Sequence, residues 1–167
     1  MSSPDSPIYR IRKLVSDDRA AVAAIVQNVG NFSVAEIRCA LELVDLYLHD
    51  PQQQDYRFVV AEDLPGNVCG YACWGPTPLT RGTYDLYWIA TSPALQGHGI
   101  GRTLMAHVEN QVAQEQGRLL IVETSAKASY GGTVGFYRNL GYDEASRIGN
   151  FYDIGDDKLT LVKRFSC

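Results

Sequence analysis

Seven consecutive residues, Gln96-Gly97-His98-Gly99-Ile100-Gly101-Arg102, could do chemistry with their backbone alone. Glycine permits tight turns and brings N–H groups close to an anion with no Cβ in the way. Apolar residues then recur at helical spacing, at Ile100, Leu104, Met105, Val108 and Val112, the buried stripe of an amphipathic helix. The glycines therefore open a helix, where unengaged N–H groups and the helix dipole favour a negative group such as a phosphate. Ahead of them, Thr83–Ala90 is aromatic and β-branched and reads as a buried strand. Thr91–Gln96 is a turn broken by Pro93.

Three glycine motifs compete for this stretch. A P-loop needs a Lys after its last glycine, and none is present. A dinucleotide fingerprint finds Gly97 and Gly99, but its third glycine position is Arg102. Glu123 does lie near where a ribose-binding acid belongs, yet a proline-containing turn separates the strand from the glycines. The third pattern is Gln-x-x-Gly-x-Gly, at Gln96, Gly99 and Gly101. It resembles the acetyl-CoA loop of the GNAT N-acetyltransferase superfamily. Ile89–Pro93 resembles the end of that family's fourth strand, with Thr91 and Ser92 in place of the common Val-Asp. Phe136, Tyr137, Gly141 and Tyr142 resemble its second motif, Phe-Tyr-x-x-x-Gly-Tyr. Taken alone, the glycine stretch is equally well a tight connection.

The resemblance implies acetyl transfer from acetyl-CoA, as co-substrate, to a primary amine by direct attack in a ternary complex. It implies a pantetheine arm paired with backbone at Ile89, Ala90 and Thr91. The diphosphate would rest on N–H groups of Gln96, Gly97, His98, Gly99, Ile100, Gly101 and Arg102, with Thr103 and Phe136 completing the cofactor set. Arg102 either adds charge there or is a solvated helix residue. The leaving thiolate needs an acid, and the resemblance assigns that role to Tyr137; the alternative is a core tyrosine. The amine needs a base. Asp85 is a lone carboxylate in a strand, where relatives often carry a glutamate, and being shorter it favours a bridging water. The alternative for Asp85 is a structural bond to Arg81 or the preceding loop.

Phe32, Tyr84, Tyr87, Trp88, Tyr130, Phe151 and Tyr152 could line an acceptor pocket, or belong to the core. Asp153, Asp156 and Asp157 could attract a cationic acceptor, or simply form a turn. His98 reads as a solvent-facing loop residue, and His49 and His107 as helix-flank residues. The acceptor is a small-molecule or protein amine. The competing function is a non-catalytic acyl-CoA-binding or regulatory module on the same fold. A homodimer fits the family.

These residues need a scaffold, and the remaining pattern supplies one. Ile8–Val15 alternates as a strand, Ser16-Asp17-Asp18 offers helix caps, and Ala20–Val29 is helical in composition. Ser33 and Glu36 form a capping box for a second helix, with Val34, Ile37, Leu41, Val44 and Leu48 as its stripe. Tyr56–Ala61 and Val68–Trp74 form a hairpin, and Gly75–Gly82 a loop. Leu119–Val122 is a central strand parallel to Thr83–Ala90. Gly117 ends the third helix, and a fourth holds Thr133, Phe136, Tyr137 and Leu140 before Gly141. Asp143–Asn150 and Lys158–Phe165 close the chain as a hairpin. The order is β-α-α-β-β-β-α-β-α-β-β. The fold class is mixed α/β (α+β), the GNAT fold, with a mixed sheet of about seven strands and four helices.

The 167 residues suit one domain over 8–167 behind a disordered lead at 1–7. A net charge of −4 argues against nucleic acid or an anionic membrane as partner. No apolar run is long enough to span a bilayer, and the N-terminus lacks a basic start and apolar core. The expected location is cytoplasmic, with Cys39, Cys69, Cys73 and Cys167 as free thiols. No metal is expected: Cys69 and Cys73 would need further ligands that the spacing does not offer.

Overall fold

The computed structural model describes residues 9–166. The expected disordered lead at 1–7, Ile8 and Cys167 lie outside them. The strands are β1 (Arg10–Lys13), β2 (Arg57–Glu62), β3 (Val68–Pro76), β4 (Thr83–Thr91), β5 (Leu119–Ser125), β6 (Asp143–Asp153) and β7 (Asp156–Arg164). The helices are α1 (Arg19–Asn28), α2 (Val34–His49), α3 (Ile100–Gln114) and α4 (Gly131–Asn139). Short 3-10 turns occupy Ser16–Asp18, Pro93–Leu95 and Ala128–Tyr130. This is the expected order, and the strands are hydrogen-bonded as β1-β2-β3-β4-β5-β7-β6. The described residues form two compact units. One runs to Gly75 and includes Trp88–Val108; the other comprises Pro76–Tyr87 and the chain from Glu109 onward.

In the first unit β1 pairs with β2, and β2 with β3, both antiparallel. Ser33 accepts from the Glu36 N–H while Glu36 accepts from the Ser33 N–H, so the capping box forms. The α2 stripe begins later than its spacing suggests: Val34 is exposed, and Ala40 and Val44 are buried. Asp18 does not cap α1. Its carboxylate instead accepts from the Val15 N–H and from both terminal nitrogens of Arg12, because a buried carboxylate is best satisfied by a charged donor. The Arg12 guanidinium holds the Asp18 carboxyl below its ordinary value, against the opposing effect of burial.

Gly70 in β3 sets how closely the start of α3 can approach. A Cβ there would stand 2.9 Å from the Ala90 carbonyl oxygen and 3.0 Å from Ile100. The Ser92 N–H donates to the Cys69 carbonyl at 2.7 Å, fixing the turn where β4 ends. Ile100, Leu104, Met105 and Val108 are each at most 1% exposed, the packed stripe that the sequence predicts.

In the second unit β4 runs parallel to β5 from Thr83↔Leu119 to Leu86↔Val122. β7 lies antiparallel to both β5 and β6, and all eleven residues of β6 are exposed. Gly117 is not the left-handed residue that stops α3. Gln116 takes that conformation, at φ 59°. The Gln116 N–H donates to Ala113 and the Gly117 N–H to Val112, the Schellman pattern. Gly117 is required for a different reason, since a Cβ would come within 2.4 Å of Val112.

The turn between β6 and β7 is tighter than Asp153–Asp157. Asp156 already lies in β7, buried, and accepts a short hydrogen bond from the Ser125 hydroxyl. In the β3–β4 loop, Leu79 has φ 63° and its side chain is wholly in solvent.

Candidate active site

The cofactor half of the expected site lies in the first unit, except Phe136, which is on α4 in the second. Gln96, Gly97, His98 and Gly99 are exposed, while Ile100 behind them is 1% exposed and anchors the loop. Gly97 and Gly99 adopt φ 83° and 84°, where a side chain is strained. A Cβ at either position would meet nothing within 4 Å, so the ground above the loop is open. The Gln96 N–H donates to Pro93 and the His98 N–H to Leu95, in the turn. The Thr103 N–H and hydroxyl both donate to the Gly99 carbonyl.

Among the described residues no acceptor takes the N–H groups of Gly97, Gly99, Ile100, Gly101 and Arg102. Five unengaged donors at a glycine-opened helix start fit a diphosphate. Of the donors expected there, Gln96 and His98 are the ones used within the loop. Arg102 is exposed. In β4, Ala90 is buried and Ile89 and Thr91 are partly so.

The acid and base candidates lie in the second unit. Tyr137 on α4 is 2% exposed, and burial pushes its phenol well above the ordinary value. Its ring stands edge-on to Phe136 at 5.2 Å and to Tyr142 at 5.5 Å. Its hydroxyl has no hydrogen-bond partner among the described residues, a property it shares with the buried core residue Tyr71. Asp85 is partly buried, and its Oδ2 accepts from the Thr77 hydroxyl at 2.6 Å. Thr77 is itself fixed by its N–H to the Thr83 carbonyl. The carboxylate thus does hold the preceding loop, through Thr77 rather than Arg81, and uses one oxygen to do so.

The aromatic candidates scatter. Tyr84 is buried and its hydroxyl donates to Glu115, which makes it a support of α3. Phe32 and Trp88 meet edge-on at 5.4 Å in the first unit. Phe151 and Tyr152 stand half-exposed on β6, with the Lys158 ammonium 4.2 Å above the Phe151 ring. Tyr87 and Tyr130 are partly buried. Asp156 is removed from any acceptor role by its bonds to Ser125 and Lys127. Asp157 is tied to the Asn150 N–H and Arg147. His107 is half-buried edge-on to Trp74, and burial lowers its pKa.

Sequence reasoning missed Glu109. Its carboxylate accepts from the Tyr142 hydroxyl at 3.0 Å and from Lys163 at 2.8 Å. The only signal was an acid at position 109 one residue beyond the apolar Val108 of the α3 stripe. Among the described residues no group of three or more His, Cys, Asp or Glu side chains could hold a metal.

The fold, the glycine-opened helix and the Phe-Tyr-x-x-x-Gly-Tyr helix define one class. The chain belongs to the GNAT acetyltransferase family: the family model for an acetyltransferase (GNAT) domain matches residues 54–144. Among solved structures it is similar to a GNAT-family protein of Desulfovibrio desulfuricans. The two are 41% identical over 94% of this chain and 99% of that one, with a TM-score of 0.88. It shares its fold with the ribosomal-protein-S18-alanine N-acetyltransferase of Escherichia coli, at 21% identity over 96% of each chain and a TM-score of 0.75. A Salmonella typhimurium structure solved with its cofactor acetyl-CoA has a TM-score of 0.73 at 18% identity, over 96% of this chain and 95% of that one. No curated protein matches the chain.

Proposed function

We propose that this protein transfers the acetyl group of acetyl-CoA to a primary amine by direct attack. The observation that carries the reading is the set of five unengaged N–H groups at the start of α3, in a chain of this family. Gly97, Gly99, Ile100, Gly101 and Arg102 would hold the diphosphate, and the β4 backbone at Ile89–Thr91 the pantetheine arm. The thioester supplies the acetyl group. Asp85, directly or through one water, takes a proton from the incoming amine, whose ordinary pKa near ~10.4 leaves it charged in water. The amine nitrogen forms a bond to the thioester carbonyl carbon and the C–S bond breaks. Tyr137 gives its phenolic proton to the departing sulfur and is reprotonated from solvent, while the new amide nitrogen releases its remaining extra proton to water. The products are an amide and free thiol. A phenol raised by burial stays protonated over the working pH range, and withdrawal from water makes a thiolate more basic as well.

The acceptor amine is carried by a small molecule or a protein, the location is cytoplasmic, and a homodimer is the expected assembly. Asp85 is already engaged by Thr77, and this favours one second reading, an acyl-CoA-binding module without turnover. Calorimetry with acetyl-CoA, followed by thiol release against a panel of amines, separates the two. Micromolar binding with amine-dependent thiol release is expected. Binding without release selects the module, and binding of NAD in place of acetyl-CoA overturns both.

A further inference from the structure

Tyr137 sits at a defined place in the end of α4. Gly141 takes φ 90°; the Gly141 N–H donates to the Arg138 carbonyl and the Tyr142 N–H to the Tyr137 carbonyl. This is a Schellman cap, in which the third residue from the helix end packs against the second residue beyond it. Here those residues are Tyr137 and Tyr142, and their rings make that contact. The position of the Tyr137 phenol therefore depends on what fixes Tyr142.

Two groups fix it. Glu109 on α3 accepts from the Tyr142 hydroxyl. Lys163 on β7 donates to the other Glu109 oxygen and to the Leu140 carbonyl, each at 2.8 Å, and lies 5.7 Å from the centre of the Tyr142 ring. Glu109 and Lys163 side chains are 17% and 28% exposed, so their charges are poorly screened. Beside this cap, Arg138 of α4 and Glu144 of β6 pair with each other at an exposed site, and Asp143 of β6 and Arg164 of β7 line the same surface as Gly141 and Lys163.

We infer that Glu109 is a positioning residue for Tyr137: together with Lys163 it holds the Tyr142 ring against the Tyr137 ring, and so fixes where the phenol stands. The inference rests on Tyr137 being the acid. It assigns a task to a carboxylate and a lysine that lie outside the reacting groups.

Glu109→Ala removes the acceptor of both bonds. The turnover number falls about tenfold while the KM for acetyl-CoA stays within twofold, because proton delivery and not cofactor binding depends on where the phenol stands. Glu109→Gln keeps the shape and an oxygen that can accept from the Tyr142 hydroxyl, and it restores turnover to within about threefold of wild type.

A folded Glu109→Ala protein with wild-type turnover overturns the inference. So does a Glu109→Gln protein no better than Glu109→Ala, because a positioning bond predicts rescue by the amide. Should Glu109→Ala not fold, Tyr142→Phe decides: it keeps the ring and deletes only the hydrogen bond to Glu109. A severalfold fall in turnover without a change in KM is expected from it, and unaltered turnover overturns the inference. Tyr137→Phe with undiminished turnover removes the underlying reading instead, so the two failures are told apart.

Discussion

The glycine loop and the end of α4 solve opposite problems. The loop presents backbone: Gln96–Gly99 are exposed, five of its N–H groups are unengaged, and its shape is set by the absence of side chains at Gly97 and Gly99. The end of α4 presents a side chain: Tyr137 is buried, flanked by two rings, and its cap is held by Glu109 and Lys163. A backbone site can be written into a few adjacent residues, because glycine at the right spacing is itself the instruction. A side-chain site must be assembled from afar. Tyr142 reaches Glu109 across 33 positions and Lys163 reaches it across 54.

If that contrast holds, damage to the two regions should separate in kinetics. The largest effect is expected from Tyr137→Phe, a fall in turnover on the order of 100-fold. Steady-state thiol release would register it, and an effect confined to KM would break the contrast. Gly99→Ala should weaken acetyl-CoA binding about tenfold, since a left-handed residue with a Cβ is strained by about 1–2 kcal/mol. Calorimetry measures it; equal binding would mean that the loop is not the cradle. Asp85→Asn should lower turnover about tenfold, less than a direct proton transfer usually contributes, because one oxygen is spent on Thr77. Raising the assay pH should restore part of that loss, since more amine is then neutral without help. Arg102→Ala is the smallest of the set, about threefold in acetyl-CoA affinity. Added salt should narrow its difference from wild type, as an exposed charge is screened.

The order of elements was legible because each was signalled locally. Ser33 and Glu36 announced α2, the Ile100–Val112 spacing announced α3, and Gly141 announced the end of α4. What escaped were competitions between partners. Asp18 had the residue type of a cap, but Arg12 offered it a charged donor. Val34 had the right spacing for the α2 stripe but sits at its solvent-facing start. Gly117 looked like a helix stop, yet Gln116 bears the unusual backbone and Gly117 is there for want of space. For the site, the glycine spacing disclosed the loop, and a motif disclosed Tyr137. Neither could disclose Thr77 beside Asp85, nor Glu109 behind Tyr142, because those bonds depend on which strand and helix faces meet.

Leu79 offers a consequence of another kind. A γ-branched residue at φ 63° with its side chain wholly in water adds backbone strain and buries nothing in return. Leu79→Gly would relax that strain, a gain of about 1 kcal/mol, partly offset by the greater freedom of glycine in the unfolded chain. Thermal melts of the two proteins would show it as a rise of a few degrees. Anyone seeking a hardier version of this molecule for long incubations could begin with that one codon.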